Sequence, residues 1–357
     1  MPDLRTVAIV TGTRAEYGLL ETVMRGVDAH PALTLKVIAA GLHLSTNTLC
    51  DIAFPLADRV PMQEAGVTGR IADAASLGRG ISGFAQAFAT LNPDWVVVLG
   101  DRIEAFAAAS AAAVGGWHVA HLHGGDRAEG VADESLRHAI SKLAHLHLPA
   151  TVQSAQRLAQ MGEDLTRIHT VGSPAVDIIA SIAPAHDAPE LIVLQHPVGD
   201  DNDTEQARMA ATLNATAHHR RLVLTPNADP GCEGIHRALR AANIETIDHL
   251  PRDRFLALLK GAHAIVGNSS AGLIEAAVCG IPAVNIGPRQ GGRETPASVI
   301  SCGYGLGDVA SALTEALSLD TQSLVHPYGE GRTGSSAAQL LATLPWSGVA
   351  LRKRNSY

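Results

Sequence analysis

Hydrophobic residues along the chain fall into short β-branched runs that alternate with longer stretches rich in alanine and leucine. The short runs predict strands, and the longer stretches predict helices. The predicted strands cover residues 6–11, 34–39, 95–99, 117–121, 191–195, 221–225, 244–247, 264–267 and 283–286. Because strands and helices alternate, the pattern predicts an α/β fold with parallel sheets.

The alternation is interrupted once, at the sequence GSPAVD that begins with Gly172, and then starts again. The chain has 357 residues, whereas a single core rarely keeps growing beyond about 300 residues. We therefore expect two Rossmann-like doubly wound domains, residues 1–171 and residues 172–357, that face each other across a cleft.

Composition and charge exclude several classes of function. The net charge is −8 and aromatic residues make up 3% of the chain, so the basic surface and stacking platform of a nucleic-acid-binding protein are missing. The most apolar stretch, residues 103–114, contains Glu104 and is shorter than the roughly 20 residues of a membrane span. It predicts a buried helix, and neither nucleic acid nor membrane is expected as a partner.

Cysteine usage and the amino-terminal sequence bear on the cellular compartment. Cys50, Cys232, Cys279 and Cys302 are widely spaced and include no CxxC pair, which favours reduced thiols. The start MPDLRTVAIVTG contains an acidic residue, and its apolar run is too short for a signal peptide. We expect a cytoplasmic protein.

Polar loops follow several predicted strands, at the ends where open α/β sheets bind ligands. The first loop, TGTRAEYG, carries Arg14 just before a helix, where its guanidinium and the helix amino terminus suit a phosphate. The alternative role for Arg14 is a surface pair with Glu16. The loop is neither GxGxxG nor a P-loop, so no dinucleotide or ATP cofactor is expected.

Carboxylates dominate the second group of loops. Asp101 and Arg102 follow the strand WVVVL, and Asp126 and Asp133 lie in HLHGGDRAEGVADE. Like-charge repulsion within such a group raises the pKa of at least one member, which suits proton transfer.

The alternatives for this second group are a metal site and a solvated acidic loop. His121, His123 and Asp126 have passable ligand spacing, but no HExxH motif or Cys/His set completes it. We therefore expect no metal.

The third motif, VGNSSAGLIEAAVCGIP, predicts a strand, a serine-capped helix and a carboxyl-terminal cap at Gly280. Asn268, Ser269 and Ser270 would present hydroxyls and amides to a pyrophosphate, and Glu275 could accept both hydroxyls of a ribose. The alternative is a helix cap in which Glu275 only favours the helix dipole.

Two further candidates follow strands of the second half. Arg289 lies in GPRQGGRE and brings a cation to the same crevice, and His196 ends LIVLQHP. As a counterpart to Asp101, His196 is a plausible acid or base.

These ordered motifs together resemble the UDP-N-acetylglucosamine 2-epimerase family, and in particular its hydrolysing branch. The match runs through TGTRAEYG, GDRIEAFAAA, HLHGGDRAEGVADESLRHAISKLAHLH, VGSPAVD, QHPV, VGNSSAGLIEA, NIGPRQGGRE and HPYGEGR. The resemblance implies a glycosyltransferase-B type fold, a UDP-sugar held mainly by the second domain, and a homodimer. The last helix could pack back on the first domain.

The resemblance also implies roles for individual residues. Those assigned to the UDP-sugar are Arg14, Arg102, Asn268, Ser269, Ser270, Glu275 and Arg289. Those assigned to catalysis are Asp101, Asp126, Asp133 and His196. Asp126 departs from the family, which usually has glutamate there, so its role is less well supported than that of Asp101. The tail HPYGEGR also departs from PYGDG, and only Gly329 and Gly331 carry over, as loop formers.

The implied chemistry also fits the absence of a cofactor motif. The carbon to be inverted bears an acetamido group, so NAD-linked oxidation of an alcohol is not open there. A base can instead remove that carbon's proton while UDP leaves, and water then adds to the glycal. Alternatives are the same reaction on a UDP-linked diacetamido-trideoxyhexose, a glycosyltransferase, or a sensor that binds UDP-sugar without turnover.

Overall fold

The computed structural model describes residues 4–45, 52–64, 66–67, 69–127, 133–227, 229–248, 250–320, 325–345, 351 and 353. Their contacts divide the chain into two compact units. The first unit contains the described residues up to Asp177 and again from Tyr328, and the second contains those from Ile178 to Pro327.

The first unit is built on a parallel sheet of six strands. These are β1 (Arg5–Thr11), β2 (Leu33–Ala40), β3 (Leu56–Val60), β4 (Trp95–Leu99), β5 (His118–Leu122) and β6 (Leu146–Leu148). Its helices are α1 (Arg14–Asp28), α2 (Leu42–Ser45), α3 (Arg70–Leu91), α4 (Ile103–Gly115), α5 (Asp133–Leu143), α6 (Val152–Gln160) and α13 (Thr333–Thr343). Helix α7 (Pro174–Ala180) begins in this unit and ends in the second. The strand order is β3-β2-β1-β4-β5-β6, so the direction of winding reverses between β1 and β4. Ligands of doubly wound folds bind at such a reversal.

Apolar side chains cover both faces of this sheet. Along β1, Ala8 and Val10 belong to one buried cluster, and Val7 and Ile9 belong to another. Alternate residues of a strand point to opposite faces, so a strand covered by helices on both sides reads as one continuous apolar run. This is why VAIV appears in the sequence without polar interruption.

Helix α13 packs against α1 through glycines. A Cβ atom on Gly26 would lie 2.4 Å from the carbonyl oxygen of Gly334, and one on Gly334 would lie 2.2 Å from that of Thr22. Any side chain at either glycine would therefore push the two helices apart.

The second unit has a parallel sheet of five strands. These are β7 (Leu191–Leu194), β8 (Arg221–Val223), β9 (Ala264–Gly267), β10 (Ala283–Ile286) and β11 (Val299–Cys302), in the order β11-β10-β9-β7-β8. Its helices are α8 (Asn202–Ala215), α9 (Cys232–Ala241), α10 (Arg252–Gly261), α11 (Glu275–Cys279) and α12 (Leu306–Ser318). Winding reverses between β9 and β7.

The predicted fold class is confirmed, because both sheets are parallel and flanked by helices. One predicted strand is wrong: residues 244–247 make only an isolated bridge between Leu224 and Ile247. A strand needs a continuous ladder of partners, and this segment has a single pairing. Strands β3, β6 and β11 were not predicted; β6 is only three residues long, and β3 and β11 are edge strands.

The apolar stretch 103–114 forms helix α4, as predicted. Among the described residues, no helix combines the length and apolar composition that a membrane crossing requires. Cys232, Cys279 and Cys302 are free thiols, and Cys50 lies outside the described residues.

Candidate active site

The loop after β1 leads directly into helix α1. Thr13 caps this helix, and its hydroxyl accepts a hydrogen bond of 3.2 Å from the amide of Glu16. Arg14 is the first residue of the helix, so its side chain starts where unpaired amides create a positive field. Glu16 does not lie at the surface, as the alternative role of Arg14 requires: its carboxyl is buried and accepts from the Gly12 amide at 2.9 Å.

The carboxylate of Asp101 is ion-paired with the guanidinium of Arg137. Asp101 lies in the turn between β4 and α4, and Arg137 projects from α5 with its side chain 6% exposed. The two residues are far apart in sequence, and no local pattern marks Arg137 as more than a helix residue. The pair fixes the direction of the Asp101 carboxylate.

Asp126 is held by two side chains. One oxygen lies 2.8 Å from Nδ1 of His123, and the other accepts a hydrogen bond of 2.7 Å from the hydroxyl of Ser154. On its other side, Nε2 of His123 lies 3.1 Å from the hydroxyl of Ser173. Neither serine was predicted to contact this pair. Each lies near the start of a different helix, far from Asp126 in sequence.

The backbone of His123 has φ of 59°, a left-handed conformation that is uncommon outside glycine. Such backbone strain is found preferentially at functional sites. The neighbouring His121 serves a different set of contacts: its ring nitrogens lie 2.8 Å from the Gly100 carbonyl and 3.1 Å from the Ser141 hydroxyl. The two histidines and Asp126 therefore do not converge on one point, and the described residues include no cluster suited to a metal ion.

Two other predicted residues of this unit lie on helix starts. Asp133 is the first residue of α5, and its side chain is outside what the structure describes. Arg102 caps α4, and its Nε donates to the carboxylate of Glu104 at 3.2 Å.

In the second unit, Asn268 joins the ends of β7 and β9. Its side-chain oxygen accepts from the His196 amide at 2.7 Å, and its side-chain nitrogen donates to the His196 carbonyl at 2.8 Å. Gly267 permits this close approach, because a Cβ atom there would lie 2.0 Å from the Leu194 carbonyl oxygen. The side chain of Asn268 thus holds the loop together.

The imidazole of His196 has a defined tautomer. The amide of Asn227 donates to its Nδ1 at 3.1 Å, so a neutral ring carries its proton on Nε2. Burial, together with the positive charge of Arg289, lowers the pKa of His196 to about 4. At neutral pH the residue is therefore an uncharged hydrogen-bond donor through Nε2.

Ser269 caps a 3₁₀ turn and not an α-helix. Its hydroxyl accepts from the Ala271 amide at 3.3 Å, and the turn Ser270–Gly272 ends before α11 begins at Glu275. The predicted single serine-capped helix is wrong on this point, because the chain reorients between the turn and the helix. The predicted cap at Gly280 is confirmed, with φ of 69°.

Two side chains from the loop after β10 bind the same carbonyl. Arg289 and Gln290 donate to the backbone carbonyl oxygen of Asn268 at 3.2 Å and 2.8 Å. The cation of Arg289 therefore lies beside the β9 loop, as its position after the next strand suggested. Gln290 was not predicted. Glu275 is ion-paired with Arg252 at 3.3 Å.

Comparison of the sequence with known proteins identifies its family. The family model described as UDP-N-acetylglucosamine 2-epimerase matches residues 25–342. A UDP-N,N'-diacetylbacillosamine 2-epimerase (hydrolyzing) from Legionella pneumophila is 33% identical over 99% of this chain and all of its own length. A UDP-N-acetylglucosamine 2-epimerase from Neisseria meningitidis is 31% identical over 93% of each chain.

A solved structure shares the fold. The crystal structure of UDP-GlcNAc 2-epimerase from Neisseria meningitidis bound to UDP-GlcNAc superposes with a TM-score of 0.81 and 18% identity, over 94% of this chain and 99% of that one. The sequence relationship is clear over almost the whole length, and the fold agrees with it. This chain therefore belongs to the UDP-N-acetylglucosamine 2-epimerase family.

Proposed function

We propose that this protein is a hydrolysing 2-epimerase that converts UDP-N-acetylglucosamine and water into UDP and N-acetylmannosamine, a precursor of sialic-acid-like sugars. The hydrolysing reaction is carried by the relationship, over 99% of the chain, to the Legionella pneumophila relative named as hydrolyzing. The substrate is supported by the Neisseria meningitidis relative, which is named for UDP-N-acetylglucosamine. The absence of a dinucleotide-binding motif from the loop after β1 is consistent with a route that needs no redox cofactor.

The proposed reaction is an elimination followed by hydration. A carboxylate takes the proton from the carbon that bears the acetamido group, and the bond between the anomeric carbon and the UDP oxygen breaks. The product of this step is a glycal with a double bond between the two carbons. Water then adds its hydroxyl to the anomeric carbon, and a proton returns to the opposite face of the neighbouring carbon.

In the first unit, Asp101 and Asp133 are proposed to transfer the protons. The ion pair with Arg137 supports Asp101 in this role, because it fixes the direction of the carboxylate. Asp126 is proposed to assist by position, since both of its oxygens are engaged by His123 and Ser154.

The anionic half of the substrate needs donors and cations. Arg14 and Arg102 are proposed to bind it from the first unit, at the ends of β1 and β4. In the second unit, Ser269, Ser270 and Arg289 would bind the diphosphate. His196 is proposed to contact the sugar through Nε2, or to act there as an acid or base.

Two residues of the second unit that were assigned to the UDP-sugar already have partners within the protein. Asn268 would act mainly by holding the loop, since its side chain is occupied by the His196 backbone. Glu275 would bind the ribose only by sharing or exchanging its contact with Arg252.

The test is proton NMR of the purified protein with UDP-N-acetylglucosamine in deuterated water. The expected products are UDP and N-acetylmannosamine with deuterium at the carbon that bears the acetamido group. UDP-N-acetylmannosamine with no free sugar would instead indicate a non-hydrolysing epimerase. Intact substrate would contradict the proposed substrate.

A UDP-linked diacetamido-trideoxyhexose is the second candidate substrate. It is favoured by the names of the Legionella pneumophila relative and of a Campylobacter jejuni relative, a GDP/UDP-N,N'-diacetylbacillosamine 2-epimerase (hydrolyzing) that is 31% identical over 83% of this chain. The same NMR experiment with both sugars, compared by kcat/KM, decides between them. Transfer to an added acceptor would indicate a glycosyltransferase, and UDP-sugar binding without turnover would indicate a sensor.

We also infer that the enzyme is a cytoplasmic homodimer. The dimer follows from the family resemblance, and free Cys232, Cys279 and Cys302 suit a reducing compartment. Light scattering on the purified full chain would test the dimer, and a monomeric mass would contradict it.

A further inference from the structure

Two buried carboxyl groups, Glu16 and Glu104, lie beneath the loop that follows β1, and the proposed reaction gives neither of them a role. Glu16 is 7% exposed and Glu104 is 0% exposed. Both adjoin Gly12: its amide donates to Oε2 of Glu16 at 2.9 Å, and a Cβ atom on it would lie 2.6 Å from Cβ of Glu104. A glycine is needed here because a larger residue would collide with Glu104.

Glu104 also connects the ends of several neighbouring strands. After β4, its Oε2 accepts from Nε of Arg102 at 3.2 Å. After β2 and β3, its Oε1 accepts from the Leu42 amide at 3.4 Å and from the Gln63 side chain at 3.2 Å. Gly41 makes room for it, with φ of 55° and a would-be Cβ only 2.4 Å from Oε1 of Glu104. One carboxylate thus ties together the loops at the point where the winding of the sheet reverses.

The charges around Glu16 come from α4 and from the residue that caps it. Burial raises the pKa of Glu16 to about 7, the negative charge of Glu104 adds to this, and the positive charge of Arg102 opposes it. From the neighbouring α2, His43 bonds the hydroxyl of Thr11 at 3.1 Å. A proton on Glu16 therefore removes one of two neighbouring negative charges beneath the loop.

We propose that Glu104 is a positioning residue that fixes the Arg102 guanidinium for the diphosphate of a nucleotide sugar, and that Glu16 beside it holds a proton instead of a charge. This rests on the proposed function, because it takes the ligand of Arg102 to be a nucleoside diphosphate. A second buried anion beneath the loop would offset the cation that the ligand needs.

The positioning role is tested by a double-mutant cycle on UDP affinity. Glu104→Gln and Arg102→Gln are each expected to weaken UDP binding roughly tenfold, and the double variant is expected to bind no worse than either single variant. Isothermal titration calorimetry measures the dissociation constant of UDP for the unmodified protein and for the three variants. If Glu104→Gln does not fold, Glu104→Asp replaces it, with the same expectation. Additive losses, or unchanged affinity in the single variant, would overturn the role.

The proton on Glu16 is tested by pH. UDP affinity of the unmodified protein is expected to fall as pH rises through about 7, as Glu16 ionises. Glu16→Gln, which imitates the protonated form, is expected to lose this fall. The matched control is Glu21→Gln on the same helix. This variant should still lose UDP affinity as pH rises through about 7. Parallel pH profiles for Glu16→Gln and the unmodified protein would overturn the proposal.

Failure of the inference and failure of the proposed function give different results. A protein that binds UDP but does not hydrolyse UDP-sugars contradicts the reaction and leaves both binding tests valid. A protein that does not bind UDP contradicts the function and the positioning role together. The free energy of unfolding then still tests the proton. Glu16 should lower the slope of this free energy against pH between about pH 4.5 and about pH 7, so the slope must be more positive in Glu16→Gln, and equal slopes would overturn the proposal.

Discussion

Arg137 on helix α5 and Asp101 after β4 form an ion pair in which the arginine side chain is 6% exposed and the aspartate side chain 19% exposed. The pair links the helix that begins with Asp133 to the end of a central strand. It therefore fixes the position of helix α5 relative to Asp101.

Replacing Arg137 should be costly because it leaves Asp101 without its buried partner. Arg137→Met is expected to lower the free energy of unfolding by about 3 kcal/mol. Urea denaturation measures this. The control is Arg240→Met, which breaks an ion pair with Glu233 whose side chains are 64% and 51% exposed, and should change stability by less than about 1 kcal/mol. Equal effects of the two changes would contradict the importance of the buried pair.

Neutralising Asp101 should separate chemistry from binding. Asp101→Asn is expected to lower the rate of UDP release from UDP-N-acetylglucosamine by at least about 100-fold, because the proton acceptor is lost. UDP affinity, measured by calorimetry, should change little. Asp203→Asn removes a carboxylate that is 90% exposed and should affect neither quantity. Poor UDP binding by Asp101→Asn would make Asp101 a structural residue.

Asn268 should be sensitive to a change of one atom. Asn268→Asp replaces the NH₂ that donates to the His196 carbonyl with an oxygen that cannot donate. We expect a loss of about 2 kcal/mol in the free energy of unfolding, as for a buried polar group left unpaired. Asn214→Asp, on an exposed position of α8, is the control. A stable Asn268→Asp protein would show that the contact between β7 and β9 contributes little.

Acid should destabilise the protein through its buried histidines. Burial lowers the pKa of His121 to about 3, and the pKa of His145 and of His196 to about 4. Because these folded-state values lie below the ordinary 6.5, the stabilisation is complete above pH 6.5 and is lost as pH falls toward about 4. Urea unfolding across this range should show the loss.

The contribution of a single histidine can be isolated by substitution. His196→Gln should reduce the acid loss by up to roughly 3 kcal/mol, whereas His218→Gln, at an exposed position, should leave it unchanged. Glu16 acts in the opposite direction, since its raised pKa stabilises the protein at low pH. His196→Gln should therefore lower the slope of the free energy of unfolding against pH, and Glu16→Gln should raise it. Changes of the same sign would contradict the assignment.

The α/β class and the positions of most strands and helices follow from the order of amino acids alone. Hydrophobic periodicity and helix caps act over a few residues, so they are legible without knowledge of the fold. The same locality placed Arg14, Asp101 and Asn268 directly after strands, where parallel sheets present their ligand-binding loops. It failed at residues 244–247, because a strand also needs a neighbour, and at β3 and β11, which are edge strands of their sheets.

Which side chains meet depends on the folded chain. Asp101 meets Arg137 and Asn268 meets His196 across long intervals of sequence, and no periodicity encodes such distant pairs. The role of Glu104 likewise became visible only when Gly12 and Gly41 were brought against it. The physical reason is that the energies of burial and ion pairing depend on the whole surroundings of a group, and folding alone assembles those surroundings.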